Sequence, residues 1–354
     1  MRFVRVILIT TFCFLFYGFV FFRWKMHSFS GNEFSWLKDN RARIININSS
    51  SILHLLDLTP FFDEIDTFDS LYGTRLAFFI ETSATGLLSA RQMCSVESLT
   101  RTNPDVQAIV VLPYPIKFID LAENRPVLHV ITAVPNIKFA TIDILQIMKN
   151  SKMIRTMKKK LGRSPTPLQH TSDFLRVELI NNFGGIYLDL DFVVLKNLSK
   201  LYQEINFIAS PFETRITNAV FGFKRNHSLL KEIMELVDRN YDPNVYGSGP
   251  LSFTSSVKSY FNIEVDEAVK RGRVKDVRFY NKTAFTPVHY DNVSIFFDER
   301  NSEKVNEWIG TSFAVHLWNK LSSPTKLQVD SKAPYAVMAR EFCPSAFGSV
   351  EDYF

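Results

Sequence analysis

The sequence predicts an α/β domain behind a single N-terminal membrane anchor. Two apolar strand-like runs bracket a segment of helical spacing between residues 76 and 113. A second such run, NFGGIYLDLDF at 182–192, carries two carboxylates among buried-type residues. The first residues of the chain form an uncharged apolar stretch flanked by basic ones. With 354 residues, 46% of them hydrophobic and 33 of them Phe, most of the chain must fold. The net charge of +5 is mild and no nucleic-acid motif occurs, so no nucleic-acid partner is expected.

At the N-terminus, Arg2 and Arg5 precede the run Val6–Phe22, which Arg23, Trp24 and Lys25 close. Its 17 residues are at the short end for a bilayer span and suit the thinner membranes of the early secretory pathway. Phe21, Phe22, Arg23 and Trp24 are too bulky for a signal-peptide cleavage site. The expectation is an uncleaved type II signal anchor: cytosolic tail 1–5, span 6–22, stem 23–74 and luminal domain 75–354. Sequons at Asn48, Asn197, Asn226, Asn281 and Asn292 agree with a lumen. Cys94 and Cys343 would there be one disulfide or two buried thiols; spacing does not choose between them.

LAFFI (76–80) reads as a buried strand, ETSATG as a turn and Leu87–Thr102 as a helix stopped at Asn103-Pro104. QAIVVLP (107–113) is a second buried strand, and this order is the signature of a parallel sheet with ligands at its carboxyl edge. Ile137–Ile142 is a further strand, Pro167–Phe183 a helix ended by Gly184, and YLDLD the strand after it. NAVFGF (218–223) and AVHLWNK (314–320) read as strands, Leu229–Arg239 as a helix, and Gly249-Pro250 as a helix start. Lys149–Arg163 holds seven basic and no acidic residues, read as a solvated face.

Within this frame Asp189 and Asp191 demand an explanation. Buried carboxylates are costly unless paired or metal-bound, and alternate positions of a strand face one side. As a bare pattern D-x-D is common, and usually a solvated turn; the apolar flanks exclude that here. Hard oxygen ligands suit Mn²⁺ or Mg²⁺ completed by substrate phosphates, which points to a nucleotide-sugar transferase. Asp173 and Arg176 share a face of the preceding helix, where a surface ion pair is the plain alternative to binding sugar hydroxyls.

FFIETS (78–83), MCSVES (93–98), SDFLRVELINNFGGIYLDLDFVVLKNL (172–198), NAVFGF, Gly249-Pro250 and AVHLWNK together resemble the α1,4-glycosyltransferases of glycosyltransferase family 32. The resemblance runs in order over most of residues 75–345. It implies a GT-A type nucleotide-sugar-binding fold with a single mixed sheet, a UDP-sugar donor and Mn²⁺. It further implies Asp191 as direct metal ligand, with Asp189 at the ribose or donor sugar and supporting the metal through water. Asp173 and Arg176 would hold the donor's hydroxyls, with Tyr187 beside the nucleotide. Glu81, Thr82 and Ser83 would lie at the uridine end. His316 is either a further metal or diphosphate ligand or a structural residue, and Asn218 and Gly249 would line the donor or acceptor side.

The activity so implied is retaining transfer of Gal or GalNAc from UDP-Gal or UDP-GalNAc to a glycosphingolipid on the luminal side of the Golgi membrane. No carboxylate nucleophile for double displacement is identifiable, which favours front-face attack. UDP-GlcNAc transfer to O-glycans is the alternative within the enzyme class. A catalytically inactive, membrane-bound binding partner is the alternative outside it, disfavoured by the intact Asp173, Arg176, Asp189 and Asp191.

Overall fold

The structure, a computed structural model, describes residues 55–354 apart from 74, 83–86, 114–120, 122, 145–150, 152, 154–155, 157–158 and 246. The anchor, Asn48, Ser83 and much of the basic run therefore lie outside the described residues. Among the described residues no helix is long and apolar enough to cross a membrane.

Nine strands form one mixed sheet: β1 (Leu55–Asp57), β2 (Leu76–Ile80), β3 (Gln107–Leu112), β4 (Ile137–Thr141), β5 (Gly185–Leu188), β7 (Phe207–Ala209), β8 (Val220–Phe223), β9 (Arg273–Val274) and β10 (Val277–Tyr280). Their order is β1-β4-β3-β2-β5-β8-β7-β10-β9. The run β1-β4-β3-β2-β5 is parallel, and β8 enters antiparallel beside β5. Every residue of β2 and β5 is buried, as strands covered on both faces require.

Two expectations are corrected. The sheet is not single, because β6 (Phe192–Val194) leaves it to pair antiparallel with β11 (Ala314–His316). The strand read as YLDLD stops at Leu188, and the one read as AVHLWNK stops at His316. The reason lies in the partners: the Asp189 amide donates to Ala219 O (2.8 Å), whereas Asp191 O accepts from Leu317 N (2.8 Å). The chain thus changes sheets between the two aspartates, through a turn at Leu190–Asp191. The segment read as stem also contributes, since Leu55–Asp57 pairs with Phe139–Thr141 at the sheet edge.

Helices follow their sequence signals. In α1 (Ala90–Thr102), Ser89 and Gln92 form a capping box. α2 (Pro167–Phe183) runs as expected from its N-terminal Pro to Gly184, whose φ of +71° favours glycine. Gly185 (φ +99°) must also lack a side chain, because a Cβ there would sit 2.5 Å from Leu76 O, blocking the β2–β5 approach. α3 spans Ser228–Asn240 and α4 spans Ser248–Phe261. A short α5 (Asn319–Ser322) follows β11, and α6 covers Pro334–Phe342.

Cys94 of α1 is disulfide-bonded to Cys343 just beyond α6, with Cα atoms 4.9 Å apart. The link joins residues 249 apart in sequence and suits an oxidising compartment. The sequons at Asn197, Asn226, Asn281 and Asn292 are all exposed.

One buried acid on α2 titrates unusually. Glu178 accepts from the Ser151 hydroxyl and from Asn182 Nδ2, and burial outweighs both, raising its pKa to about 7. Between its ordinary value of 4.5 and 7 the folded state holds the extra proton, so stability falls as pH rises through that window. Glu178→Gln should therefore be the more stable protein at pH 8, by roughly 2 kcal/mol, and equal to wild type near pH 4. Thermal melts of both proteins at the two pH values check this.

A carboxylate and imidazole cleft at the sheet edge

The carboxyl ends of β2 and β5 and the segment entering β8 meet at one edge of the sheet. There a cleft of about 920 Å³ opens, with Asp189, Asp191 and His316 among the residues that line it. One ligand atom from each of these three lies within 4.8 Å of the others. His316 reaches Asp191 from the second sheet, where His316 pairs with Phe192. Its ring is stacked on Phe192, with centroids 4.4 Å apart.

Asp191 is held from two sides. Its Oδ2 accepts from the Asn319 amide (2.8 Å), and its Oδ1 lies 2.9 Å from His316 Nε2. That second approach pairs the carboxylate with the imidazole, and His316 Nδ1 is buried without a hydrogen-bond partner. Burial works against the Asp191 charge, but His316 and the Asn319 amide hold its carboxyl below the usual range. Burial pushes Asp189 up, with Asp191 adding to the shift and Arg176 opposing it.

Two carboxylates and an imidazole with ligand atoms this close, and a buried imidazole nitrogen left unpartnered, fit a divalent cation of the Mn²⁺ kind. Asp189, Asp191 and His316 would hold it. When bound, such an ion supplies positive charge to a diphosphate.

Behind the carboxylates stands Arg176, buried on α2 with its guanidinium fully committed. Nη1 donates to Asn218 O (2.8 Å) and meets Asp189 Oδ1 (2.9 Å); Nη2 donates to Ser172 Oγ (2.8 Å) and lies 3.5 Å from Asp173 Oδ1. The guanidinium also sits 4.5 Å over the Tyr187 ring. Burial lowers its pKa and these partners, Asp189 first, more than restore it, so Arg176 stays charged. The Tyr187 hydroxyl donates to the same Asp189 Oδ1 (2.6 Å).

Asp173 is bonded to Asn218 Nδ2 (2.7 Å), and its Oδ2 is buried without a partner. Gly249 packs on this pair, for a Cβ there would lie 2.6 Å from Asp173 Cγ. Arg176, Asn218, Glu81 and Thr82 join the cleft wall, while Asp173, Tyr187 and Gly249 form the layer behind it. Glu81 is steadied by Gln92 of the α1 capping box.

Two cleft residues, Tyr290 and Leu321, carry no signal in the sequence. Trp318 and Lys320 belong to AVHLWNK, and only the fold brings all four near Asp191. Tyr290 and Leu321 are 40% and 51% exposed, which gives the cleft an apolar lip beside its charged floor.

Fold and site together are an α/β domain with a D-x-D carboxylate pair and a histidine at the carboxyl edge of its sheet, and two glycosyltransferase family descriptions match it. The region described as "Glycosyltransferase sugar-binding region containing DXD motif" matches residues 89–208. "Alpha 1,4-glycosyltransferase conserved region" matches residues 222–350.

More particularly, the chain is similar to the lactosylceramide 4-alpha-galactosyltransferases. It is 29% identical to that of Mus musculus over 278 residues, covering 78% of this chain and 76% of the relative. The Homo sapiens protein is 28% identical over 279 residues, covering 78% and 77%. Homo sapiens alpha-1,4-N-acetylglucosaminyltransferase is 23% identical over 274 residues, covering 76% and 78%. A solved galactosyltransferase, LgtC with donor and acceptor sugar analogues, is a distant match at 13% identity and a TM-score of 0.43. It covers 78% of this chain and 96% of that one.

Proposed function

We propose that this chain is a Golgi-membrane α1,4-glycosyltransferase that moves Gal or GalNAc from a UDP-sugar to a glycosphingolipid, with retention at the anomeric carbon. The observation that carries the reading is the Asp189–Asp191–His316 cluster on the floor of a cleft large enough for a nucleotide sugar. The lactosylceramide-specific names of the relatives support the lipid acceptor, as does the apolar lip at Tyr290 and Leu321.

In this reading Asp189, Asp191 and His316 would hold Mn²⁺, or Mg²⁺ in its place, which when bound would supply positive charge to the diphosphate. Lys320, on the same wall, adds positive charge where that group would lie. Arg176 and Tyr187 fix the rotamer of Asp189, and Asp173 and Asn218 brace the sugar end of the cleft. Glu81 and Thr82, with Ser83, form the uridine end. The residues orient donor and acceptor for front-face attack, with the acceptor proton passing to the departing phosphate, so that positioning and electrostatics supply the rate. The run at 6–22 anchors the domain to the membrane on its luminal side.

The test is a panel of UDP-Gal, UDP-GalNAc, UDP-GlcNAc and UDP-Glc offered with Mn²⁺, with and without lactosylceramide. The reading expects turnover of UDP-Gal or UDP-GalNAc, dependent on metal and enhanced by the lipid. Turnover of UDP-GlcNAc alone, onto O-glycan acceptors, would replace it. UDP binding without turnover of any donor would mark a binding protein instead.

A further inference from the structure

Trp318 is one of four non-glycine residues with positive φ among the described residues. At φ +53° and ψ +53° it lies in the left-handed region, where a side chain costs energy and where strain gathers at functional sites. It lines the cleft, and the left-handed turn has a visible consequence. The amides on either side of it both reach one residue: Leu317 N donates to Asp191 O (2.8 Å) and Asn319 N to Asp191 Oδ2 (2.8 Å). A strand continuing through Trp318 would point both amides to one side but carry them about 6.6 Å apart, along successive ladder positions rather than onto one residue.

The side chain acts separately. Its indole N–H donates to Val288 O (2.9 Å), which ties the turn to the segment that leads to Tyr290. Its ring lies 4.1 Å from the His316 ring, whose other contact is the stacked Phe192 at 4.4 Å. The imidazole is therefore clamped between two aromatic rings. Tyr290 meets the Trp318 ring edge-on at 5.8 Å.

We propose that Trp318 is the positioning residue of the metal centre: its left-handed backbone turns two amides onto Asp191 while its Val288-anchored indole clamps His316 in register with that carboxylate. The inference rests on the metal reading above but makes a separate claim, that ligand geometry is imposed by one strained residue that need not touch the ion. Glycine, the usual occupant of such a backbone, would supply the turn without the clamp.

The experiment is Mn²⁺ titration of the purified protein followed by electron paramagnetic resonance, in wild type and in Trp318→Ala, Trp318→Gly, Trp318→Phe and Asp191→Asn. Melting temperatures serve as the fold control. Loss of a group that orients metal ligands lowers affinity by about 10–100-fold, the effect expected of Trp318→Ala. Trp318→Gly should bind about five-fold tighter than Trp318→Ala, because only the glycine relieves the backbone. Trp318→Phe, which keeps the core filled and the clamp partly in place, should fall between wild type and alanine.

Wild-type Mn²⁺ affinity in all three Trp318 variants, with binding lost in Asp191→Asn, would overturn the proposal and leave the metal site standing. Equal affinities of the alanine and glycine variants would overturn its backbone half. Undiminished binding by Asp191→Asn would remove the metal site and the proposal together.

Discussion

Asp191→Asn should lower metal-dependent sugar transfer by about three orders of magnitude, on the order of 4 kcal/mol of transition-state stabilisation, while shifting the stability of the protein little. The substitution keeps the shape of the side chain and an oxygen to accept from the Asn319 amide. It removes the charge that a cation needs. It also removes the repulsion between two neighbouring carboxylates, which pushes Asp189 up. It removes the pairing with His316 as well, so the two effects on stability oppose each other while activity is lost outright. Initial rates with Mn²⁺ and a thermal melt of the same preparation check both halves.

Arg176→Ala should fail differently, losing activity and stability together. The side chain is buried, and its removal leaves Asp189 and Asp173 without their cation and breaks bonds to Ser172 and Asn218. Removing one partner from a buried ionic network costs about 3–5 kcal/mol, because the remaining charges stay buried. For a domain of this size that corresponds to a melting temperature lower by roughly 10 °C. Arg176→Lys should recover part of the stability and less of the activity, since an ammonium cannot span Asn218, Ser172 and Asp189 at once. The contrast separates the two roles: Asp191 faces the ligand, whereas Arg176 holds Asp189 in place. The hydroxyl-binding part suggested for Arg176 has to be shared with this bracing, because its nitrogens are already engaged.

How much of this was legible in the sequence depended on whether the signal was local. α2 was, since its start is marked by Pro167 and its stop by Gly184. The Asp189–Asp191 pair was, because carboxylates among apolar neighbours need a partner. The sheet change between them was not, since it rests on Leu317, far along the chain, taking up the Asp191 carbonyl.

Nor was the turn after His316 legible. A left-handed residue is normally announced by Gly or Asn, and here it is Trp318. His316 could be weighed only evenly between ligand and core, because its place 2.9 Å from Asp191 comes from the fold, which spacing does not encode. The Cys94–Cys343 bridge was open for the same reason. Asp173 and Arg176 were correctly placed on one helix face, but which way that face pointed depended on the packing of β5 and α4 against it.

The central claim is that Asp189, Asp191 and His316 join a divalent cation to the diphosphate of a nucleotide sugar. Calorimetric titration of UDP into wild type and Asp191→Asn, each with and without Mn²⁺, tests it most directly. UDP binding that strengthens at least tenfold with Mn²⁺ in wild type, and shows no such gain in Asp191→Asn, is the predicted result. UDP affinity indifferent to both the metal and the substitution would contradict it.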